Sequence, residues 1–120
     1  MRIHNFHNDL YRFDLHVIVG GTCKQSVSRF NRKFKMSIGD LGECAGYHSG
    51  TTIKGKSTSV IWIRDDAPPQ IVDIVAHESF HCAVHHLSNA GVRFSRSSEE
   101  AYAYLIGWVG RRVWEAKLAA

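Results

Sequence analysis

From Tyr11 to Val19 the chain reads YRFDLHVIV, with Tyr11, Phe13, Leu15 and Val17 alternating against Arg12, Asp14 and His16. That is the period of a half-buried strand, and Gly20-Gly21 closes it. The period then changes. Val27, Phe30 and Phe34 recur at three and four residues, which predicts a helix from an N-cap at Thr22 to about Lys35. Glycines at 39, 42, 46, 50 and 55 interrupt the stretch from Ser37 to Gly55, so it reads as turns around one irregular strand from about Cys44 to Ile53. Ser57 to Arg64 (STSVIWIR) is dense in β-branched and aromatic residues and predicts a second clear strand. Val60, Trp62 and Arg64 would share one of its faces, and Ser59, Ile61 and Ile63 the other.

Pro68-Pro69 suits the first turn of a helix, where a missing N–H costs nothing. That helix should run from about Pro69 to Ser88, stopped by Asn89-Ala90-Gly91. A last helix begins in the serine cluster, with Ser97 and Glu100 spaced as a capping box, and AYAYLIGWVGRRVW carries it to about Lys117. The predicted order is β, α, β, β, α, α: an α+β domain with a small mixed or antiparallel sheet packed on helices. At 120 residues, 1–120 is expected to be a single domain.

Composition adds exclusions. No apolar run approaches the roughly 20 residues of a membrane helix, and the N-terminus lacks the apolar stretch of a secretory signal. A soluble, cytoplasmic protein with no membrane partner is the expectation. Three cysteines (Cys23, Cys44, Cys82) with no CxxC spacing argue for reduced thiols rather than a disulfide framework. The net charge of +4 is concentrated on the first predicted helix, at Lys24, Arg29, Arg32, Lys33 and Lys35. Such a face could contact nucleic-acid phosphates, but a solvated helix surface explains it equally well, and no nucleic-acid module accompanies it.

Histidine is the unusual residue: there are 8, and four (His77, His81, His85, His86) fall within ten positions. Among them, His77-Glu78-Ser79-Phe80-His81 is an HExxH motif. On a helix, residues i and i+4 share a face one turn apart, so His77 and His81 can each give an imidazole nitrogen to one ion. Glu78 lies about 60° from His81 around the axis at 3.6 residues per turn, beside the metal without ligating it. A carboxylate there can take a proton from a zinc-bound water and return it to a leaving amine. Shuffled sequences of this composition would carry the motif about 2% of the time, so its context matters. Here it sits on a strong helix candidate directly after a strand.

A catalytic zinc takes a third protein ligand. His85 is eight residues from His77, about 12 Å along a straight helix, too far to converge on the same ion. The metzincin continuation HxxGxxH fails, because Val84 and Leu87 occupy its positions. The acidic pair Glu99-Glu100 remains, eighteen residues beyond His81 and at the start of the last helix. An ordinary role in capping or in the helix dipole would also explain that pair.

HESFH followed by a helix opening with glutamate resembles the gluzincin metallopeptidases, in which the second helix donates a glutamate ligand. Many of them have small residues three and seven positions after it. From Glu100 these are Ala103 and Gly107; from Glu99 they are the bulky Tyr102 and Ile106. The resemblance therefore implies metal ligands His77, His81 and Glu100, catalytic Glu78, and one Zn2+ per chain. Small residues would allow the close helix approach a carboxylate ligand needs. Tyr104 departs from the acidic or amide residue common four after the ligand. HESFH with EEAYAYLIGW is also similar to small HExxH proteins of tailed phages, over about a third of the chain, which implies a compact zincin-like core and a host-cell cytoplasmic location.

In gluzincins the strand before the HExxH helix is often the sheet edge at the cleft, where extended peptides pair. The resemblance thus points Ser57 to Arg64 to that role. The function expected is a zinc metallopeptidase acting on a peptide or protein substrate. Its alternative is a catalytically silent, zinc-stabilised binding module acting on a host protein or nucleic acid.

Overall fold

The computed structural model describes residues 1–34, 38–39, 41–42 and 44–119. In chain order these form β1 (Arg2–Asn8), β2 (Phe13–Val19), α1 (Cys23–Phe34), β3 (Gly46–Ile53), β4 (Lys56–Ile63), α2 (Val72–Asn89), a 3₁₀ turn (Arg96–Ser98) and α3 (Glu99–Leu118). The four strands make one mixed sheet in the order β1-β2-β4-β3, with β2 and β4 parallel and both outer pairs antiparallel. The fold is thus α+β, and no helix among the described residues is long and apolar enough to cross a membrane.

Alternation in β2 and β4 decides which helix covers which face. Phe13, Leu15, Val17, Ile61 and Ile63 point to one side and form the larger core with Val75, Cys82, Leu87, Leu105 and Val109 of α2 and α3. Ile18, Val60 and Trp62 point to the other, where Cys23 and Phe30 of α1 cover them. The two faces assigned to β4 from its sequence hold.

Local chemistry sets the ends. Thr22 caps α1: its Oγ1 accepts from the Gln25 N–H at 3.1 Å, while the Gln25 side chain accepts the Thr22 N–H at 2.9 Å. Lys35 lies outside the described residues; Lys24, Arg29, Arg32 and Lys33 are all exposed. The β3–β4 hairpin turns through Lys54 and Gly55 alone, both with positive φ (51° and 79°), the conformation that matches the twist of the flanking strands.

Several boundaries differ from expectation. β1 was not anticipated, because RIHNFHN carries only two apolar residues among types that strands disfavour. The strand expected from Tyr11 starts at Phe13: Asn8 Oδ1 accepts the Tyr11 N–H at 2.8 Å, holding residues 9–12 in a turn. β3 is a regular eight-residue strand, not an irregular one. Pro68-Pro69, joined by a cis bond, precedes α2 rather than opening it. Ser97 and Glu100 do not cap α3; Ser95 donates its N–H to Ser98 Oγ at 2.9 Å, and the 3₁₀ turn leads into a helix that starts at Glu99. Finally, β4 is not an edge. It lies between β2 and β3, and β3 is the edge strand packed beside α2.

Candidate metal centre

The HExxH segment occupies the second and third turns of α2, whose inward residues Val75, Ser79, Cys82, Ala83 and Leu87 are buried. This leaves His77 and His81 exposed on the outer side, with Glu78 tucked between them and the sheet. The two Nε2 atoms face each other at 3.1 Å. Two nitrogens at zinc-ligand distance, spread at the tetrahedral angle, would lie about 3.3 Å apart, so the pair is already set for chelation. Glu78 Oε1 is 3.8 Å from His77 Nε2. Its Oε2 is buried without a hydrogen-bond partner, an arrangement that is costly unless something else occupies the site. Burial pushes the Glu78 carboxyl above the usual carboxylate range, and positive charge on His77 and His81 pulls it partly back. The donor atoms of His77, Glu78 and His81 lie within 4.8 Å of one another, a group that could hold a metal ion.

Glu78, His81 and His85 form one wall of a cleft of about 520 Å³, and Gly46, His48 and Gly50 of β3 form the other. The glycines are required by the closeness of the two elements. A Cβ on Gly46 would lie 2.5 Å from Ile74 Cγ2 and 3.0 Å from the Trp62 carbonyl oxygen, and one on Gly50 would lie 2.3 Å from His85 Nε2. The alternation Gly46, His48, Gly50 is the signal for a strand seated against a helix. A glycine-rich stretch read only as turns conceals it.

Beneath the cleft lies a second histidine pair, His48 of β3 and His86 of α2, to which sequence reasoning assigned no role. Ser59 Oγ is 2.8 Å from His48 Nε2 and 2.6 Å from His86 Nε2, and Ser57 Oγ is 3.2 Å from His86 Nδ1. The His86 ring stacks on Phe13 at 3.7 Å between centroids. Both rings are held neutral. Burial, followed by the charge of His85, lowers each pKa to about 3, with smaller contributions from His81 at His48 and from His48 at His86.

Neither Glu99 nor Glu100 belongs to the His77, Glu78, His81 group. Both are exposed in the first turn of α3. The helix buries Tyr102, Leu105, Val109, Val113 and Ala116, and Glu100 lies about 200° around the axis from Tyr102. Register separates it further. Gly110 is where α3 comes close to Ser79, with a Cβ there 3.6 Å from the Ser79 hydroxyl, and Glu100 is ten residues away, about 15 Å of helix. Near that end, Tyr102 OH donates to the Val92 carbonyl at 2.7 Å. The steric role expected of Ala103 and Gly107 is overturned. Ala103 is exposed, and a Cβ on Gly107 would meet nothing within 4 Å. Tyr104 is likewise exposed.

The chain matches no protein-family model, no curated protein and no solved structure.

Proposed function

We propose that the protein binds one zinc ion through His77 and His81 and hydrolyses peptide bonds, as a minimal zincin-like metallopeptidase. One observation carries this reading: a chelating imidazole pair stands beside a buried carboxylate with an unpartnered oxygen, at the mouth of an open cleft. Bound there, the ion would supply Lewis acidity, lowering the pKa of water and polarising a scissile carbonyl. The chain's own part is proton transfer. Glu78, held by burial above the ordinary carboxylate range, accepts the proton of the attacking water and delivers it to the leaving amine. The free edge of β3, rather than β4, offers main-chain groups to an extended peptide along the cleft.

Glu100 is the third ligand in this reading, on the resemblance alone. Its coordination requires α3 to slide along α2 as well as to rotate, because its register stands about 15 Å of helix from the contact at Ser79. Glu100→Ala should then lower zinc affinity while Glu99→Ala leaves it nearly unchanged, both measured by competition with a chromogenic chelator. Equal affinities would remove Glu100 from the site.

The second reading, a zinc-holding binding module without turnover, is favoured by the same displacement of Glu100, since with Glu78 kept as the base only two imidazoles remain where a catalytic zinc takes three protein ligands. Glu78→Gln separates the two. The peptidase reading expects hydrolysis of an unfolded protein substrate to fall by about 10²-fold or more at unchanged zinc content. Unaltered hydrolysis in Glu78→Gln would contradict it.

A further inference from the structure

On the face of the sheet opposite the histidine cleft, the fold brings two cysteines together from separate elements. Cys23 opens α1, held in place by the Thr22–Gln25 cap, and Cys44 leads into β3. Their sulfurs are 2.8 Å apart, inside ordinary van der Waals contact between sulfur atoms. Cys23 is buried and Cys44 partly exposed, and both line an open cleft with Lys24, Trp62 and Arg64. Cys82 provides the contrast: it is sealed in the larger core, and burial pushes its thiol up to about 12.

We propose that Cys23 and Cys44 form a reversible disulfide by exchange with a low-molecular-weight disulfide such as oxidised glutathione. The Cys44 thiolate attacks one glutathione sulfur. The glutathione S–S bond breaks, one glutathione leaves and takes up the proton that Cys44 released, and a mixed disulfide remains on Cys44. The Cys23 thiolate then attacks the Cys44 sulfur, and the second glutathione leaves with the proton from Cys23. Two protein thiols are oxidised to one disulfide while one glutathione disulfide is reduced to two thiols. The bond ties the start of α1 to the segment leading into the strand that walls the histidine cleft, so the redox state of one face bears on the rigidity of the other. The assignment is independent of the metal reading.

The test equilibrates the full chain in glutathione buffers of graded redox poise, traps thiols by alkylation and maps the peptides by mass spectrometry. The expected product is one intramolecular Cys23–Cys44 link, with Cys82 alkylated, reversal by dithiothreitol, and a melting temperature raised on the order of 10 °C by the closed loop. Cys82→Ser should leave the link intact. Cys23→Ser should stop at a mixed disulfide, seen as the mass of one glutathione on Cys44. Three alkylated cysteines at the most oxidising poise, or links that join chains or involve Cys82, would overturn the proposal.

Discussion

Two pairs of histidines, one within a single turn of α2 and the other bridging β3 and α2 through Ser59, meet opposite fates in this molecule. His77 and His81 are exposed, and their Nε2 atoms face each other. His48 and His86 share the hydroxyl of Ser59 beneath the cleft, and His86 is also stacked on Phe13. The outer nitrogens meet only each other at the surface, while those of the inner pair are engaged in hydrogen bonds to serines that fix β3 and β4 to α2. Histidine content alone therefore says little; the partners available to each ring decide whether it can ligate or only hold.

The largest effect that could break this contrast is acid. Each inner ring has a folded pKa of about 3 against an ordinary 6.5, so the unfolded chain binds protons that the folded chain refuses. Stability should be full above about pH 6.5 and drain as pH falls toward 3. By pH 5 the loss should be on the order of 2 kcal/mol for each ring. Urea titrations across this range measure it. His86→Ala should weaken the slope, and at neutral pH it should cost about 3 kcal/mol through the cavity and the stranded Ser59 hydroxyl, with zinc binding by the outer pair retained. A flat profile between pH 6.5 and 4 would show that the inner rings are not held neutral.

A smaller effect sharpens the comparison at the glycines. Gly46→Ala should cost about 1 to 3 kcal/mol, because its Cβ would press on Ile74 and on the Trp62 carbonyl oxygen. Gly107→Ala, facing open space within α3, should stabilise the helix by somewhat under about 1 kcal/mol. Thermal unfolding of the two variants gives both signs. A destabilised Gly107→Ala would restore the close helix contact that the structure denies.

These glycines also mark where the sequence was legible. Periodicity identified β2 and α1, a run dense in β-branched and aromatic residues identified β4, which is buried on both faces, and start and stop signals around apolar segments identified α2 and α3. β1 escaped because an edge strand holding only Ile3 and Phe6 against the core needs no sustained alternation. In β3, glycines at 46 and 50 mimic turn chemistry but answer to the closeness of α2, a tertiary demand invisible to local reading. The HExxH triplet was readable because its geometry lies within one helix. Glu100 depended on how two helices align, and the packing at Gly110 and Ser79 places it far along α3 instead. Cys23 and Cys44, 21 residues apart, had no spacing signal at all.

The central claim is that the outer pair chelates metal while the inner pair does not. Zinc content of the purified chain, measured by atomic emission for the wild type, His77→Ala, His81→Ala and His86→Ala, tests it most directly. The account predicts about one zinc per chain in the wild type and in folded His86→Ala, and near-complete loss in His77→Ala and His81→Ala, because a ligand set short of one imidazole holds zinc poorly. Full zinc occupancy in both His77→Ala and His81→Ala would contradict it.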